Sequence, residues 1–481
     1  MRKRILSVLA MILIFRILAH LPIPVADGAT LKQILESSFA NSGSAFINQL
    51  DVLSGGALGN FSIMLVGLGP YINASIIMQL LTHAIPKLEE LNKEGEFGRK
   101  KINQYTRILA LPLAIVQSIG TIYFVREAAS ATVGLGDITA GSDLANWILM
   151  IGALVGGSML LMFLGEQITE QGIGNGISLV ITIGIVSQLP STIQNVFQSA
   201  QVGSDKLSLF GWQTPFTQEG AIFIGILAFS ILLLTAIIVK LNEASRNLTI
   251  NYAKRVQGNR AYGGITTNLP IKLISAGVIP VIFASVFLTA PAFIGQILSQ
   301  LDNESWQQLG LNLQTWFQSP TREAFSQGGL QPYIYPAIYF GLVFAFTFFY
   351  TSLNFKANEI AENLQKQGGF IEGIRSGKQT EKYLSGIVNK LTLFGAVSLG
   401  LLAVAPVIGQ AFVTIQISTI GTSLLILVAV SLETLRQVES RALMVTYDHY
   451  EEPDFFYEQG PGTADKRLRL GKRFSRKKKS K

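Results

Sequence analysis

Few side chains in this chain could carry out covalent chemistry. There is no cysteine among its 481 residues, which excludes disulfides, thiolate catalysis and cysteine metal sites. The three histidines, His20, His83 and His449, stand far apart in sequence, as interfacial or solvated histidines do, and no metal site is expected. Gly172-Ile173-Gly174-Asn175-Gly176 could pass for a dinucleotide fingerprint, but it joins two apolar runs rather than a strand to a helix. A tight turn is expected there, because glycine accepts the backbone angles of a short hairpin. With no Walker-type phosphate loop and no catalytic constellation, neither an enzyme nor a cofactor is expected.

What remains is polar chemistry set inside apolar sequence. Gly67, Gly69 and Pro70 open one apolar run, and Tyr71, Asn73, Ser75 and Gln79 interrupt it, so a helix there is poorly suited to facing lipid on all sides. Leu68, Ile72 and Ile76 recur every four residues and share one helix face, a spacing that ordinary packing also explains. Just before them, Leu53-Ser54-Gly55-Gly56-Ala57-Leu58-Gly59-Asn60-Phe61-Ser62 is too apolar for a solvated loop and too short to span a bilayer. Irregular backbone at membrane depth is tolerated only where it is buried in protein or lines a wet cavity. Arg16 is the only clear charge within an apolar run, while Glu166, Lys240, Lys272 and Glu433 sit at or near run ends. An ion-coupled transporter normally keeps acidic or histidine relays at mid-membrane.

The elements that must position these residues are membrane helices. Residues are 49% hydrophobic and 14% charged, where a soluble protein carries roughly a quarter charged residues. Spanning a hydrocarbon core takes roughly 20 apolar residues. Such runs lie near 5–22, 68–82, 108–125, 146–165, 176–190, 219–239, 273–297, 333–352, 391–406 and 412–432. Met1-Arg2-Lys3-Arg4 and the run after it also fit a signal peptide. The lack of a small-residue cleavage site before Pro22 and Pro24, together with nine further spans, favours a first transmembrane helix.

An even number of spans puts both termini on one side. That side holds 33 of the 38 Lys and Arg, in the N-terminus and in 83–107, 240–272, 353–390 and 436–481; the opposite side holds Lys32, Arg126, Lys206 and Arg322. Positive charge marks the cytoplasmic side, so both termini are expected there. The basic tail from Lys466 to Lys481 either touches anionic lipid or ribosomal RNA or simply solubilises the chain. Five spans precede the external stretch 191–218 and five follow it, so a structural repeat between the halves has to be inverted. Inverted halves commonly surround a central pathway, and a small-molecule transporter of that kind is the alternative to a channel for something larger.

Two segments give the sequence a family resemblance. Gly69-Pro70-Tyr71-Ile72-Asn73-Ala74-Ser75-Ile76-Ile77 and Gly165-Glu166-Gln167-Ile168-Thr169-Glu170-Gln171-Gly172-Ile173-Gly174-Asn175-Gly176 closely resemble signature segments of the bacterial SecY (translocon α-subunit) family. The likeness continues through Leu21-Pro22-Ile23-Pro24, Gly98-Arg99-Lys100-Lys101-Ile102, Asn251-Tyr252-Ala253-Lys254-Arg255, Gly277-Val278-Ile279-Pro280 and Gly421-Thr422-Ser423-Leu424-Leu425, and it covers all ten spans. It implies an all-α membrane protein of ten helices, in two inverted pseudo-symmetric halves around a central pore. The halves are 1–190 and 219–436, joined by the external hinge 191–218 and followed by a basic cytoplasmic tail at 437–481.

The resemblance further implies a passive protein-conducting channel in the bacterial cytoplasmic (inner) membrane. An apolar pore ring maps by motif onto Leu68, Ile72, Ile76, Ile177, Ile181, Ile282 and Ile426; Leu68 departs from the isoleucine usual in the family but stays apolar. Such a ring blocks ions by dewetting. Residues 53–67, with Leu53, Gly55, Gly56, Ala57, Leu58, Phe61 and Ile63, are similar to the plug, although a static re-entrant loop also fits. The second and seventh spans are similar to the lateral gate that releases signal sequences and nascent transmembrane helices into lipid. There Gln79, Thr82 and Gln117 either hydrogen-bond across the seam, at roughly 0.6 to 2 kcal/mol each, or act as static interhelical glue. The basic loops 240–272 and 353–390 look like the platform for the SecA motor ATPase or a translating ribosome, with Arg375 at the family's key contact position and Lys254 and Arg255 in the other loop. SecE-like and SecG-like small subunits, signal sequences, nascent polypeptides and membrane lipid complete the implied partners.

Overall fold

A computed structural model describes residues 2–23, 54, 57, 62–130, 144–172, 174–201, 206–209, 212–252, 255–257, 260–262, 264, 266–299, 303–320, 322–326, 329–411 and 417–447. Fourteen helices and seven short strands lie among them. Residues up to Leu435 form one compact unit and Arg436–Lys481 a second.

The chain enters through α1 (Arg2–Leu18), which buries Phe15 and leaves Leu6, Leu9, Leu13 and Ile17 exposed, the pattern of a helix with one face toward lipid. Next come α2 (Gly69–Ala84) and α3 (Pro86–Lys93). Ile85 between them is extended because a residue before proline is pushed out of the helical region. Helices α4 (Glu96–Ser130), α5 (Leu144–Gln171) and α6 (Gly176–Gln201) follow. The α5–α6 connection is the expected tight turn. Gly172 and Gly174 have φ of 72° and 81°, the Gly176 N–H donates to Thr169 Oγ1 at 2.9 Å, and a Cβ on Gly176 would lie 1.9 Å from the Gly165 carbonyl oxygen.

A small antiparallel hairpin, β1 (Lys206–Leu209) and β2 (Trp212–Thr217), leads into α7 (Gln218–Glu243), whose first turn is capped by Thr217 Oγ1 accepting from the Gly220 N–H at 3.1 Å. Helix α7 exposes Ile222, Ile226, Phe229, Leu232 and Leu233. The loop after it is structured: β3 (Ser245–Tyr252), β4 (Arg255–Gln257), β5 (Arg260–Tyr262) and β6 (Thr266–Lys272). Then come α8 (Ile279–Leu298), α9 (Glu304–Phe317), α10 (Arg322–Ser326), α11 (Gln331–Asn354), α12 (Ala357–Gln367), β7 (Gly369–Phe370), α13 (Lys378–Gly409) and α14 (Ile417–Tyr447).

Ten of these helices, α1, α2, α4 to α8, α11, α13 and α14, coincide with the ten apolar runs. Seven are long and apolar enough to cross a membrane by length and composition alone. Of the other three, α8 has 20 residues and two fall short for local reasons. Helix α1 has 17 residues and carries charge at both ends, and α2 has 16 residues interrupted by polar side chains. Helix α8 starts at Ile279 instead of near residue 273, because Gly277 turns the chain with φ of 63° and Pro280 belongs in a first helical turn. The short strands were not expected from the sequence.

Entry into α8 copies entry into α2. Gly67 and Gly277 both have φ of 63°, the N-caps Leu68 and Val278 have nearly the same angles (−86°, −2° and −96°, −5°), and Pro70 and Pro280 occupy the first turn. From each glycine the chain reads Gly-x-x-Pro-x-Ile-x-Ala-Ser, so Ile72 matches Ile282 and the fully buried Ala74 matches the fully buried Ala284. This residue-level repeat relates the second and seventh spans.

Candidate functional site

Six of the seven expected ring side chains are buried. Leu68, Ile72 and Ile76 on α2, Ile181 on α6, Ile282 on α8 and Ile426 on α14 are each at most 5% exposed. Helix α2 presents its three at i, i+4, i+8, so they follow one face. Ile177 is placed differently. It is half-buried and packs in a cluster with Tyr71, Ala74, Ala110 and Met162, on the opposite side of α2 from Ile72.

The backbone leading into α2 is clamped. Ile63 N–H donates to the Leu21 carbonyl at 3.1 Å, Ser62 N–H to the Ala57 carbonyl at 3.1 Å, and Pro22 bridges to Ser62. From α5, Ser158 Oγ donates to the Gly67 carbonyl at 2.9 Å. Gly157 beside it has no room for a side chain, since a Cβ would stand 2.0 Å from the Ile63 carbonyl oxygen. Met64, Leu65 and Val66 are buried, the last two in a core cluster with Ile23, Ile122, Leu154 and Phe293. Of the expected plug residues, Ala57 is fully buried and Ile63 half-buried, while Leu53, Gly55, Gly56, Leu58 and Phe61 lie outside the described residues.

The three polar gate candidates behave differently from one another. Gln79 on α2 accepts a 2.6 Å hydrogen bond through Oε1 from the Tyr350 hydroxyl on α11, and its Nε2 donates to Ser75 Oγ at 3.2 Å. Thr82 donates to the Met78 carbonyl of its own helix at 2.7 Å. Gln117 on α4 lies against Gly69 at the start of α2, with a buried Oε1 that has no hydrogen-bond partner among the described residues. Around Tyr350 runs a seam of aromatic rings: Phe283 on α8 meets Tyr350 at 5.2 Å and Phe346 at 6.4 Å, and Phe287 meets Phe346 at 6.1 Å, all edge to face. That geometry is the favourable one for aromatic pairs. Tyr350 and Phe283 were missed in the sequence; the only trace is aromatic spacing of four at Phe283 and Phe287 and at Phe346 and Tyr350.

Lower on α4 and α5, Arg107 and Glu166 form a two-point ion pair, Nε to Oε1 at 3.0 Å and Nη2 to Oε2 at 2.5 Å. Glu166 is only 13% exposed, so it needs this partner. Its position at a span end, read from the sequence as a boundary charge, is thereby explained.

The two long basic loops are one structure. Strand β3 pairs antiparallel with β6, from Ser245 opposite Lys272 to Asn251 opposite Thr266, and on its other edge with β7, Asn251 opposite Phe370 and Tyr252 opposite Gly369. A cluster of Leu248, Ile250, Ile271, Leu364, Ile371, Leu384 and Ile387 holds this sheet against α12 and α13. Arg375 is exposed in the turn after β7, between Gly373 (φ 78°) and Gly377 (φ 100°), and its carbonyl accepts from Thr380 Oγ1 at 3.1 Å. Arg255 begins β4, and Lys254 lies outside the described residues.

This arrangement has counterparts among known proteins. A family model described as SecY matches residues 62–435. The protein translocase subunit SecY of Streptomyces galbus is 37% identical over 457 residues, 94% of this chain and 97% of the relative. That of Mycobacterium bovis is 34% identical over 458 residues, again 94% and 97%. A solved protein-conducting channel superposes with a TM-score of 0.57 at 18% identity, covering 93% of this chain and 94% of that one. A SecY described by a plug domain that stabilises the closed state and maintains a membrane seal gives 0.54 at 18% identity, covering 89% and 90%. Sec61 from a canine ribosome–channel complex gives 0.54 at 17% identity, covering 93% and 94%.

Proposed function

The chain belongs to the SecY family, and from that premise we propose that it is the pore-forming subunit of a protein translocase, passing unfolded secretory polypeptides across a membrane and releasing transmembrane segments sideways into lipid. It is a multi-pass membrane protein and a channel subunit rather than an enzyme. The observation that carries the channel reading is the burial of Leu68, Ile72, Ile76, Ile181, Ile282 and Ile426, six apolar side chains from four helices. A constriction of that chemistry excludes ions by dewetting and makes no specific bond to a passing peptide. Ile177 borders it.

The segment at about 53–67 is the plug, and its C-terminal end is anchored through Ile63 and Gly67. Helices α2 and α8 with α11 form the lateral gate, closed by the Gln79–Tyr350 bond and the aromatic seam and bordered by Thr82 and Gln117. The energy comes from a partner, a SecA motor or a translating ribosome, docked on the joined basic loops at Arg375, Lys254 and Arg255. SecE-like and SecG-like small subunits pack from the lipid side. An apolar crevice of about 730 Å³ beside α7, bordered by Phe223, Leu227, Pro406, Gly421 and Leu424, supports that reading. The membrane is the bacterial cytoplasmic membrane with both termini inside, an orientation that the charge bias supports.

The test is protease protection of a signal-bearing substrate by the chain reconstituted with its small subunits, SecA and ATP. Protection should be lost with Arg375→Glu, and thermal stability should not change, because Arg375 is exposed. Absence of protection with the wild type would defeat the reading.

A further inference from the structure

Helix α9, between the seventh and eighth spans, has no part in the ring, the plug, the gate or the basic loops. Its inner edge is fully engaged. Gly310 sits against Gly295 of α8 so closely that a Cβ on it would come 2.5 Å from the Ser299 nitrogen and 2.7 Å from the Gly295 carbonyl oxygen. Gln314 Nε2 donates to Ser299 Oγ at 3.1 Å, and Phe317 packs against the core cluster around Leu65 and Phe293. Gly310, Leu313, Gln314 and Phe317, spaced i, i+3, i+4, i+7, make that edge.

Beside it stand apolar side chains that the described residues leave about half exposed. Trp306 is 50% exposed, Leu309 46% and Trp316 40%. At 100° per residue Leu309 and Trp316 fall on one flank of the docked edge and Trp306 in line with it one turn earlier, while Gln307, Glu304 and the exposed Leu311 fall on the other flank. Glu304 is the only charge in α9, so nothing on it would attract a charged macromolecule.

Two placements say what covers this edge. Leu298 ends α8 and Glu304 begins α9, and a linker of five residues reaches less than about 18 Å, which keeps α9 at the membrane boundary. Both neighbouring spans also carry exposed apolar side chains near their ends, Ile294 on α8 and Tyr333 near the start of α11, with Leu330 just before it. Tryptophan use agrees. The chain has four, Trp147 in the first turn of α5, Trp212 at the start of β2 and Trp306 and Trp316 in α9, and none in the basic loops. Tryptophan concentrates at membrane–water interfaces, where an amphipathic ring sits at headgroup level.

We propose that α9 is an interfacial helix, its Trp306, Leu309 and Trp316 edge seated among phospholipid headgroups and upper acyl chains of the leaflet opposite the basic loops, and that the Gly295–Gly310 contact ties α8 to that interface. The inference needs α8 and α11 to be membrane spans and does not depend on the channel reading, so a chain unable to translocate still tests it.

The full chain is reconstituted with its small subunits in phosphatidylcholine vesicles whose acyl chains carry bromine either near the headgroup or near the chain end. Wild type is compared with Trp306→Phe/Trp316→Phe, and the difference isolates emission from α9. An edge buried to headgroup depth should be quenched about twofold more by bromine near the headgroup than by bromine near the chain end, and hardly by aqueous iodide. Quenching by iodide without quenching by bromolipid would place the edge in water or facing a passing polypeptide. Quenching by neither would place it under protein, a small subunit or a second copy. Either result overturns the proposal. If the double variant does not accumulate, Trp147→Phe/Trp212→Phe leaves only the α9 tryptophans and gives the same reading directly.

Discussion

Replacing Tyr350 with phenylalanine removes one oxygen and leaves the aromatic seam in place, because the 5.2 Å edge-to-face contact with Phe283 involves only the ring. What is lost is the 2.6 Å bond to Gln79, and the Gln79 carbonyl is left without its donor from α11. An interhelical hydrogen bond in a membrane is worth roughly 0.6 to 2 kcal/mol, and a buried acceptor left unpaired costs about 1 to 3 kcal/mol. Gln79 is only partly buried, so about 1 to 2 kcal/mol is the expected loss to the closed seam, a shift of about 5- to 30-fold toward opening. The assay is SecA-driven translocation of a substrate whose signal has been weakened by polar substitutions, compared with the same substrate carrying an intact signal. Tyr350→Phe should raise the first and leave the second nearly unchanged. Gln79→Met should do the same, and the double variant should exceed neither by much, because both remove one bond. If the two single effects added fully, or if Tyr350→Phe lowered translocation of both substrates alike, the bond would not be what holds the seam.

Three further perturbations test other parts of the site. Gly157→Ala should destabilise the chain by a few kcal/mol, since its Cβ meets the Ile63 carbonyl backbone, whereas Gly156→Ala, with open space around it, should stay within about 0.5 kcal/mol; melting of the detergent-solubilised protein separates them. Arg107→Ala leaves the mostly buried Glu166 unpaired and should cost about 1 to 2 kcal/mol, discounted because Arg107 itself is half exposed, with stability partly restored in Arg107→Ala/Glu166→Gln; a double variant as unstable as Arg107→Ala alone counts against the pair. Ile282→Asn exchanges about 1.5 to 3 kcal/mol of apolar character for a hydrated amide in the ring, so chloride leak from proteoliposomes should rise about ten- to a hundredfold, and an unchanged leak would remove Ile282 from the seal.

The spans were legible because an unbroken apolar run, such as the one that becomes α7, admits few other readings. Their ends were not. Helix α8 begins where Gly277 and Pro280 let it, a matter of backbone angles that hydropathy ignores. The strand signal was present and passed over: Leu248, Ile250 and Tyr252 alternate with polar residues at period two, but the segment is basic and lies between spans, where a loop is the natural expectation. The α2–α8 repeat rests on five residues, Gly, Pro, Ile, Ala and Ser, whose match becomes evident once both glycines are seen at the same φ. Within the site, the helix face of Leu68, Ile72 and Ile76 could be read from spacing, because that geometry is local. Partners such as Arg107 and Glu166, or Gln79 and Tyr350, are brought together only by tertiary packing, and nothing in either sequence neighbourhood names the other.

The sheet that joins the two basic loops also sets an order of events during synthesis. Strands β3 and β6 are close in sequence and can zip up as a hairpin as soon as Lys272 has emerged, before α8 is made. Strand β7 can join only after α8, α9, α11 and α12 have been made, because Phe370 lies beyond all of them, and pairings so distant in the chain form slowly. A chain interrupted anywhere between Lys272 and Gly369 therefore displays an uncapped β3 edge, so the newborn protein passes through a stage in which that edge is open to pairing with a strand from another chain.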